Sequence, residues 1–243
     1  MMKTPATIRK NFIPIVVFCL VFQQVSAQSG VETRTNGSGT SMAIIDMNGK
    51  PFRNNNYADV EGTPFLNDKW QLADLVLNNG KKLMQVRARI NEVSNEVHFL
   101  SVNDEEFSTP AGLVKEIRFS DSSETPVQSS LYQSGFPPID GMNEQNFYEV
   151  ISAGKLSLLR SGTKKIEDQK SDMSGETKKV FKSYEEFYVQ QAGTMKRIKK
   201  EKSAVLELMA DQKDKIESYA AAQKINFKNT DSLKKLFNYY NTL

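Results

Sequence analysis

The side chains able to do chemistry are few. His98 is the only histidine and Cys19 the only cysteine of the 243 residues. A lone histidine cannot build a two- or three-histidine metal site, and any serine triad would have to use it as the base. It stands in NEVHFLSV, between strand-like neighbours, and no Gly-x-Ser-x-Gly elbow occurs in the chain. His98 is therefore expected to be a strand-surface or half-buried residue and not a catalytic base. The sequence also lacks a Gly-rich phosphate loop, a CxxC pair and an EF-hand loop. No catalytic residue, metal ligand or cofactor is assigned from it.

Paired carboxylates are the one enzyme chemistry that this composition leaves open. Asp104, Glu105 and Glu106 form an acidic run, Asp140 and Glu144 lie in an aromatic turn region, and Asp68 is close to Trp70. A glycosidase needs two carboxylates at a set separation in a cleft. Acidic runs at turns are ordinarily solvated, and sequence proximity does not supply that separation. Aromatic side chains offer a second possibility. Trp70, Tyr132, Phe136 and Tyr148 gather loosely around turn-rich segments and are the candidate ligand-binding residues, since a sugar or lipid site would use such faces. The competing account is core packing. Trp70, just before the first clear strand, is expected to plug the end of a β core.

The elements that must position these residues begin after residue 27. Lys3, Arg9 and Lys10 precede an apolar stretch from Phe12 to Phe22, and Gln23-Gln24 lead into Val25-Ser26-Ala27. That is the layout of a secretory signal peptide cleaved after Ala27. The apolar stretch is shorter than the about 20 residues needed to span a bilayer. Cys19 follows Phe18 within it, so lipid attachment is not expected. The first 27 residues hold three basic side chains and no acidic one, and cleavage would leave 29 of each sign and no cysteine. A neutral mature chain gives no electrostatic argument for nucleic acid or an anionic membrane, and a chain without thiols has no disulfide.

Residues 28–41, QSGVETRTNGSGTS, are polar and aperiodic and read as a flexible tether. An antiparallel β domain is expected over 42–200. Gly49-Lys-Pro-Phe52-Arg-Asn54 and Gly62-Thr-Pro-Phe65-Leu-Asn67 both read as turns with a Phe packed beneath. Asn79-Gly80 between two apolar runs is a strong hairpin signal, because both turn positions want positive φ. In its second arm Met84, Val86, Ala88 and Ile90 alternate with polar residues, which predicts one buried face. EVHFLSV and GLVKEIRFS continue the meander, the latter with Leu113, Ile117 and Phe119 on one face. SDSSETPVQSS is a polar break. A second hairpin turns at Ala153-Gly154, the charged stretch 162–179 reads as a loop, and 180–198 fits either a strand pair turning at Ala192-Gly193 or a helix.

From Lys202 the period becomes helical. Val205, Leu208, Met209, Ile216, Tyr219 and Ala220 share one face. After a break at INFKNT, Asn229 or Thr230 is placed as an N-cap, and Leu233, Leu236, Phe237 and Tyr240 form a second stripe. Residues 201–243 are thus a helical pair expected to pack on the β domain. VEGTPFLNDKW, LNNGKK, FYEVISAGKLSLLR and the closing FNYYNTL resemble an uncharacterised group of exported, signal-peptide-bearing proteins of Bacteroidota. The resemblance implies export and an envelope location, and carries no activity.

The sequence thus predicts an α+β fold: an antiparallel β domain, as a sandwich or a half-open, barrel-like meander, followed by two amphipathic helices. It predicts a non-catalytic protein of the cell envelope, periplasmic or extracellular after cleavage. Its partner is an envelope protein or a glycan and not nucleic acid, and no transmembrane segment is expected in the mature chain. The alternatives are a small-ligand carrier with an apolar β cavity for lipid or sugar, and then a carboxylate-dependent hydrolase.

Overall fold

The computed structural model describes residues 57–101, 103–121, 128–170 and 175–243, together with the strands β1 (Glu32–Thr35) and β2 (Met42–Ile45). The expected signal peptide, the first Gly-x-Pro-Phe turn and the centre of the break at 122–127 lie outside these residues. β1 and β2 pair with each other in an antiparallel ladder, so four residues of the expected tether are strand. Among the described residues no helix is long and apolar enough to cross a membrane.

The Asn79-Gly80 signal forms its hairpin. β4 (Gln71–Leu77) turns into β5 (Lys82–Asn91), with Gly80 at φ 79° and the Asn79 side chain accepting the Lys81 amide at 3.0 Å. The expected inward row changes partway along β5. Leu83, Ala88 and Ile90 are buried, but Met84 is 61% exposed. The cause is a bulge: Leu83 pairs with Leu75 and Val86 with Ala73, so Met84 and Gln85 oppose Asp74 alone. Gln85 takes φ 55° and donates its amide to Asp74 Oδ1 at 2.8 Å. One extra residue shifts the inward row from odd to even positions and turns Met84 to solvent.

β4 and β5 belong to a sheet of eleven strands, in which β3 (Val60–Glu61), β6 (Glu96–Leu100), β7 (Glu106–Ser108), β8 (Val114–Asp121) and β9 (Gln128–Gln133) also lie. β10 (Tyr148–Ser152), β11 (Ser157–Lys170), β12 (Thr177–Gln191) and β13 (Thr194–Ile198) complete it. The order is β13-β12-β11-β10-β9-β8-β4-β5-β6-β7, antiparallel throughout, with β3 added parallel to β12. Segment 180–198 is therefore the strand pair and not the helix. The charged stretch expected to loop out is a correction too: β11 and β12 run on as paired arms to Lys170 and Thr177. These arms bury little, and the ladder and cross-strand pairs such as Lys182 with Glu167, 3.3 Å apart, hold them.

The sheet curls. β5 and β11 are five places apart, which in a flat sheet would separate them by about 24 Å. Instead the Lys164 amide donates to the Glu92 carbonyl at 3.1 Å, and the Glu92 amide donates to the Pro64 carbonyl at 2.9 Å. β4, β5, β8, β9, β10 and β11 thereby close most of a ring, the half-open alternative among the expected β arrangements. Leu75, Ile90, Phe99, Ile117, Phe119 and Phe147 fill its inside.

The same sheet face carries a second core further along β10–β13. There Leu156, Leu158, Phe187 and Val189 meet the C-terminal helices α1 (Lys202–Glu207), α2 (Lys213–Ala222) and α3 (Thr230–Thr242). The first expected helix is broken by a 3-10 turn at Ala210–Gln212. Its buried stripe is Val205, Met209, Ile216 and Ala220, with Leu208 and Tyr219 half-covered. Asn229 caps α3 by accepting the Ser232 amide at 2.9 Å. At the far end Asn241 bonds both main-chain groups of Leu156, at 3.1 and 3.0 Å. A Cβ on Gly154, at φ 156°, would lie 2.4 Å from Asn241 Cγ, so the residue in that turn must be glycine.

Leu233, Leu236 and Phe237 are fully buried, and Tyr240 is 2% exposed. Leu236→Ala should cost about 2–5 kcal/mol through lost transfer energy and the cavity left behind, measured by denaturant unfolding. An unchanged midpoint would mean that the helix stripe does not pack on the sheet.

Candidate functional site

The four aromatic candidates do not share one site. Trp70 and Phe65 clasp the Arg89 guanidinium, whose central carbon lies 4.2 Å from the Trp70 ring and 3.5 Å from the Phe65 ring. Trp70 is half-buried and caps a cation instead of plugging the core, because β5 directs Arg89 to the face opposite Ala88 and Ile90. Arg89 donates to Glu106 Oε1 at 2.8 Å, and Asp68 stands 3.8 Å away. His98 is buried at 3% exposure and so not at the strand surface. Its Nδ1 lies 2.7 Å from the same Glu106 oxygen. Burial alone would raise the Glu106 carboxyl, but the hydrogen bonds from Arg89 and His98 outweigh it and hold that group below the usual carboxylate range. Of the carboxylates read from the sequence, Asp68, Asp104 and Glu106 thus serve β5 arginines, Asp104 pairing with Arg87. Glu105 and Glu144 are exposed.

Phe136 and Tyr148 do meet, edge to face at 5.3 Å, and Tyr148 meets Tyr188 in the same way at 5.6 Å. Burial pushes the Tyr148 hydroxyl up to about 12, with the Asp140 carboxylate adding to the shift. Burial and Asp140 likewise raise the Tyr188 hydroxyl, which donates to Asp140 Oδ2 at 3.2 Å. Asp140 and Gly141, at φ 52° and 81°, make the tight turn that brings this carboxylate over β12. Arg197 on β13 approaches it at 3.4 Å and Glu186 at 3.6 Å.

Asp140, Gly141, Glu186, Tyr188 and Arg197, without Phe136 and Tyr148, form one wall of a cleft of about 550 Å³ on the outer face of β11 and β12. Tyr184, Lys165 and Thr163 form its floor, Asn95 and Glu92 its far side. A second lobe of about 240 Å³ lies on the inner face of the same strands, between Tyr132, Glu149, Arg160 and Glu185. Glu92 and Tyr184 line both lobes. Tyr132 is thus separated from Phe136 and Tyr148 by the thickness of the sheet.

Local structure places Glu92 firmly. Asn91 Oδ1 accepts the amides of Val93 and Ser94 at 2.9 and 3.2 Å, and Asn95 at φ 57° returns the chain into β6. The Glu92 side chain then lies along β11 at Gly162, where a Cβ would come within 2.2 Å of Oε1. A glycine inside a strand pattern signals a close approach. That signal was present in LLRSGTKK, whereas nothing local marked Glu92, Arg160, Lys164, Tyr184 or Tyr188. Burial pushes the Glu92 carboxyl above the usual range, against the pull of Lys164 and Arg160. Lys164 Nζ pairs with it at 4.0 Å and also donates to the Thr63 carbonyl at 3.0 Å and to that of Phe65. Among the described residues no group of three or more His, Cys, Asp or Glu is placed to hold a metal ion.

Two conservative substitutions should act with opposite signs. The lowered Glu106 stabilises the fold above the ordinary carboxylate range and loses that contribution as pH falls through its folded value. Glu106→Gln should therefore lower the Tm near pH 7, with the difference shrinking in acid. The raised Glu92 costs stability as pH rises from about 4.5 through its folded value. Glu92→Gln should raise the Tm near pH 7 and not near pH 4. Melting curves across this range check both, and equal signs would contradict the geometry. No protein-family model, curated protein or solved structure matches the chain.

Proposed function

We propose that this is a non-catalytic, exported protein of the cell envelope that binds a glycan in the cleft over β11 and β12. The outer lobe carries the reading. Its volume of about 550 Å³ falls within the range of small-molecule sites, roughly 300–1,000 Å³. Its lining alternates hydrogen-bonding groups (Asn95, Asn146, Glu186, Arg197) with the rings of Tyr184 and Tyr188. A sugar needs that mixture, hydroxyls for the polar groups and C–H faces for the rings. Tyr184 is 37% exposed and tied by its hydroxyl to Glu167, which fixes the ring at little conformational cost to binding.

The carrier alternative has less support. One space inside the half-barrel, between Leu66, Ile90, Tyr132 and Phe147, is about 10 Å³, roughly one water and too small for a lipid chain. One observation favours the hydrolase alternative. A glycosidase acid needs a carboxyl raised by burial, and Glu92 has that property in a cleft that Asp140 and Glu186 also line.

Calorimetric titration with peptidoglycan fragments and neutral oligosaccharides separates these readings. Saturable binding is expected, weakened at least about tenfold, or about 1.4 kcal/mol, by Tyr184→Ala with the Tm unchanged and no reducing ends released. Release of reducing ends that stops in Glu92→Gln would establish the hydrolase instead. Binding that is indifferent to Tyr184 would remove the cleft from the function.

A further inference from the structure

The chain's one histidine stands outside the cleft and is buried. Its Nδ1 lies 2.7 Å from Glu106 Oε1, to which Arg89 also donates at 2.8 Å. An ionised carboxylate only accepts, so the neutral ring keeps its proton on Nδ1 and presents a bare lone pair at Nε2. That atom is buried and has no hydrogen-bond partner among the described residues. It faces Glu96 Oε2 at 3.7 Å, too far for a hydrogen bond, and neither atom carries a proton to share. A proton on Nε2 changes the sign of this contact. The imidazolium then donates to Glu106 on one side and to Glu96 on the other, and charge-assisted bonds of that kind are among the strong ones.

The ring is also the seat of a strap, residues 62–70, which joins β3 to β4. Phe65 meets the His98 ring edge to face, with centroids 4.8 Å apart. Phe65 and Trp70 grip Arg89, so the strap is held to β5 and, through Glu106, to β7. The strap's carbonyls in turn fix the cleft. Pro64 accepts the Glu92 amide, and Thr63 and Phe65 accept the Lys164 ammonium; Glu92 and Lys164 both line the cleft. The charged groups packed around His98 are Arg89 from β5, Glu96 from its own strand, Glu106 from β7 and, behind Arg89, Asp68 from the strap. Two carboxylates flank the ring and one guanidinium stands beside them, so an added positive charge has partners within the fold.

From this buried ring, the open lone pair at Nε2 and the strap seated upon it, we infer that His98 is a proton-operated latch on the strap. The neutral ring is tied on one side only. Protonated, it bridges Glu106 and Glu96, steadies the surface on which Phe65 rests, and tightens the strap's hold on Glu92 and Lys164. The cleft therefore firms on mild acidification, histidine being the side chain that changes charge between about pH 5 and 8. The latch does not depend on what the cleft binds.

As the only histidine, His98 gives one imidazole signal in a nuclear magnetic resonance spectrum, and the Glu92 and Lys164 amides report the junction through hydrogen exchange. The two are followed together from about pH 8 to about pH 5. The ring should begin as the Nδ1–H tautomer and gain a proton on Nε2. Over the same interval both amides should become at least about threefold better protected, relative to the exchange rate of an open chain at each pH. In Glu96→Gln the side-chain amide donates to Nε2 without any added proton, so protection should stay at the acid level of the wild type throughout. A ring that keeps one protonation state, or that carries its neutral proton on Nε2, would overturn the latch. So would a ring that titrates while the two amides stay unchanged or lose protection. A gain in protection that recurs in Glu96→Gln would place the responsible proton elsewhere and overturn it as well. The wild-type curves decide the coupling by themselves, so a Glu96→Gln chain that failed to fold would not spare the inference.

Discussion

The structure turns on the main chain of Glu92. Its amide is bonded to Pro64 and its carbonyl to Lys164, so one residue in a hairpin turn joins three stretches of chain. That junction brings strands five places apart into contact, closing a curl whose inside is filled by an apolar core. The side chains then follow the backbone. With Glu92 held against β11, a side chain at Gly162 would displace its carboxylate, and Lys164 donates to the carbonyls of Thr63 and Phe65. The carboxylate itself is left at the boundary of two cavities. The junction thus explains both how the half-barrel closes and why a poorly solvated charge stands at its seam.

That seam has a further logic. The inner face of the sheet carries two apolar cores, one inside the curl and one under the helices. Between them Tyr132, Glu149, Arg160 and Glu185 interrupt the apolar surface. Charges so placed are expensive unless paired and hydrogen-bonded, and Arg160 meets that cost for two carboxylates with one planar fork. The opposite arrangement holds around Arg89, where two rings and Glu106 neutralise a single cation. Both halves of the sheet thus spend their charges on themselves, and Glu92 at the seam faces Lys164 at 4.0 Å.

Legibility in the sequence followed the range of the interactions. Asn79-Gly80, Ala153-Gly154 and Ala192-Gly193 could be read because a turn is a contract among adjacent residues. The α3 stripe and its Asn229 cap could be read for the same reason. The bulge at Met84 could not, since it depends on Asp74 across the hairpin. The charged arms of β11 and β12 were mistaken for a loop because their stabilisation is cross-strand pairing, which leaves no burial pattern. The two-lobed cleft was hidden for a stronger reason. Glu92, Asp140, Gly162, Tyr184 and Arg197 come from separate hairpins, and only Gly162 departs from what its own segment would ask.

The parallel attachment of β3 to β12, and the grip of Lys164 on Thr63, bind positions about a hundred residues apart. Loops of that length are costly to close before their contacts form, and sheets built on such pairings fold slowly, on the order of milliseconds to seconds. The local hairpins can form early, but the curl cannot lock until β11 is available to receive Glu92. During that interval the apolar face that will line the half-barrel stands open. The lysines along the β11 and β12 arms, strong gatekeepers against edge-to-edge pairing, then act to keep folding chains apart before the ring has closed.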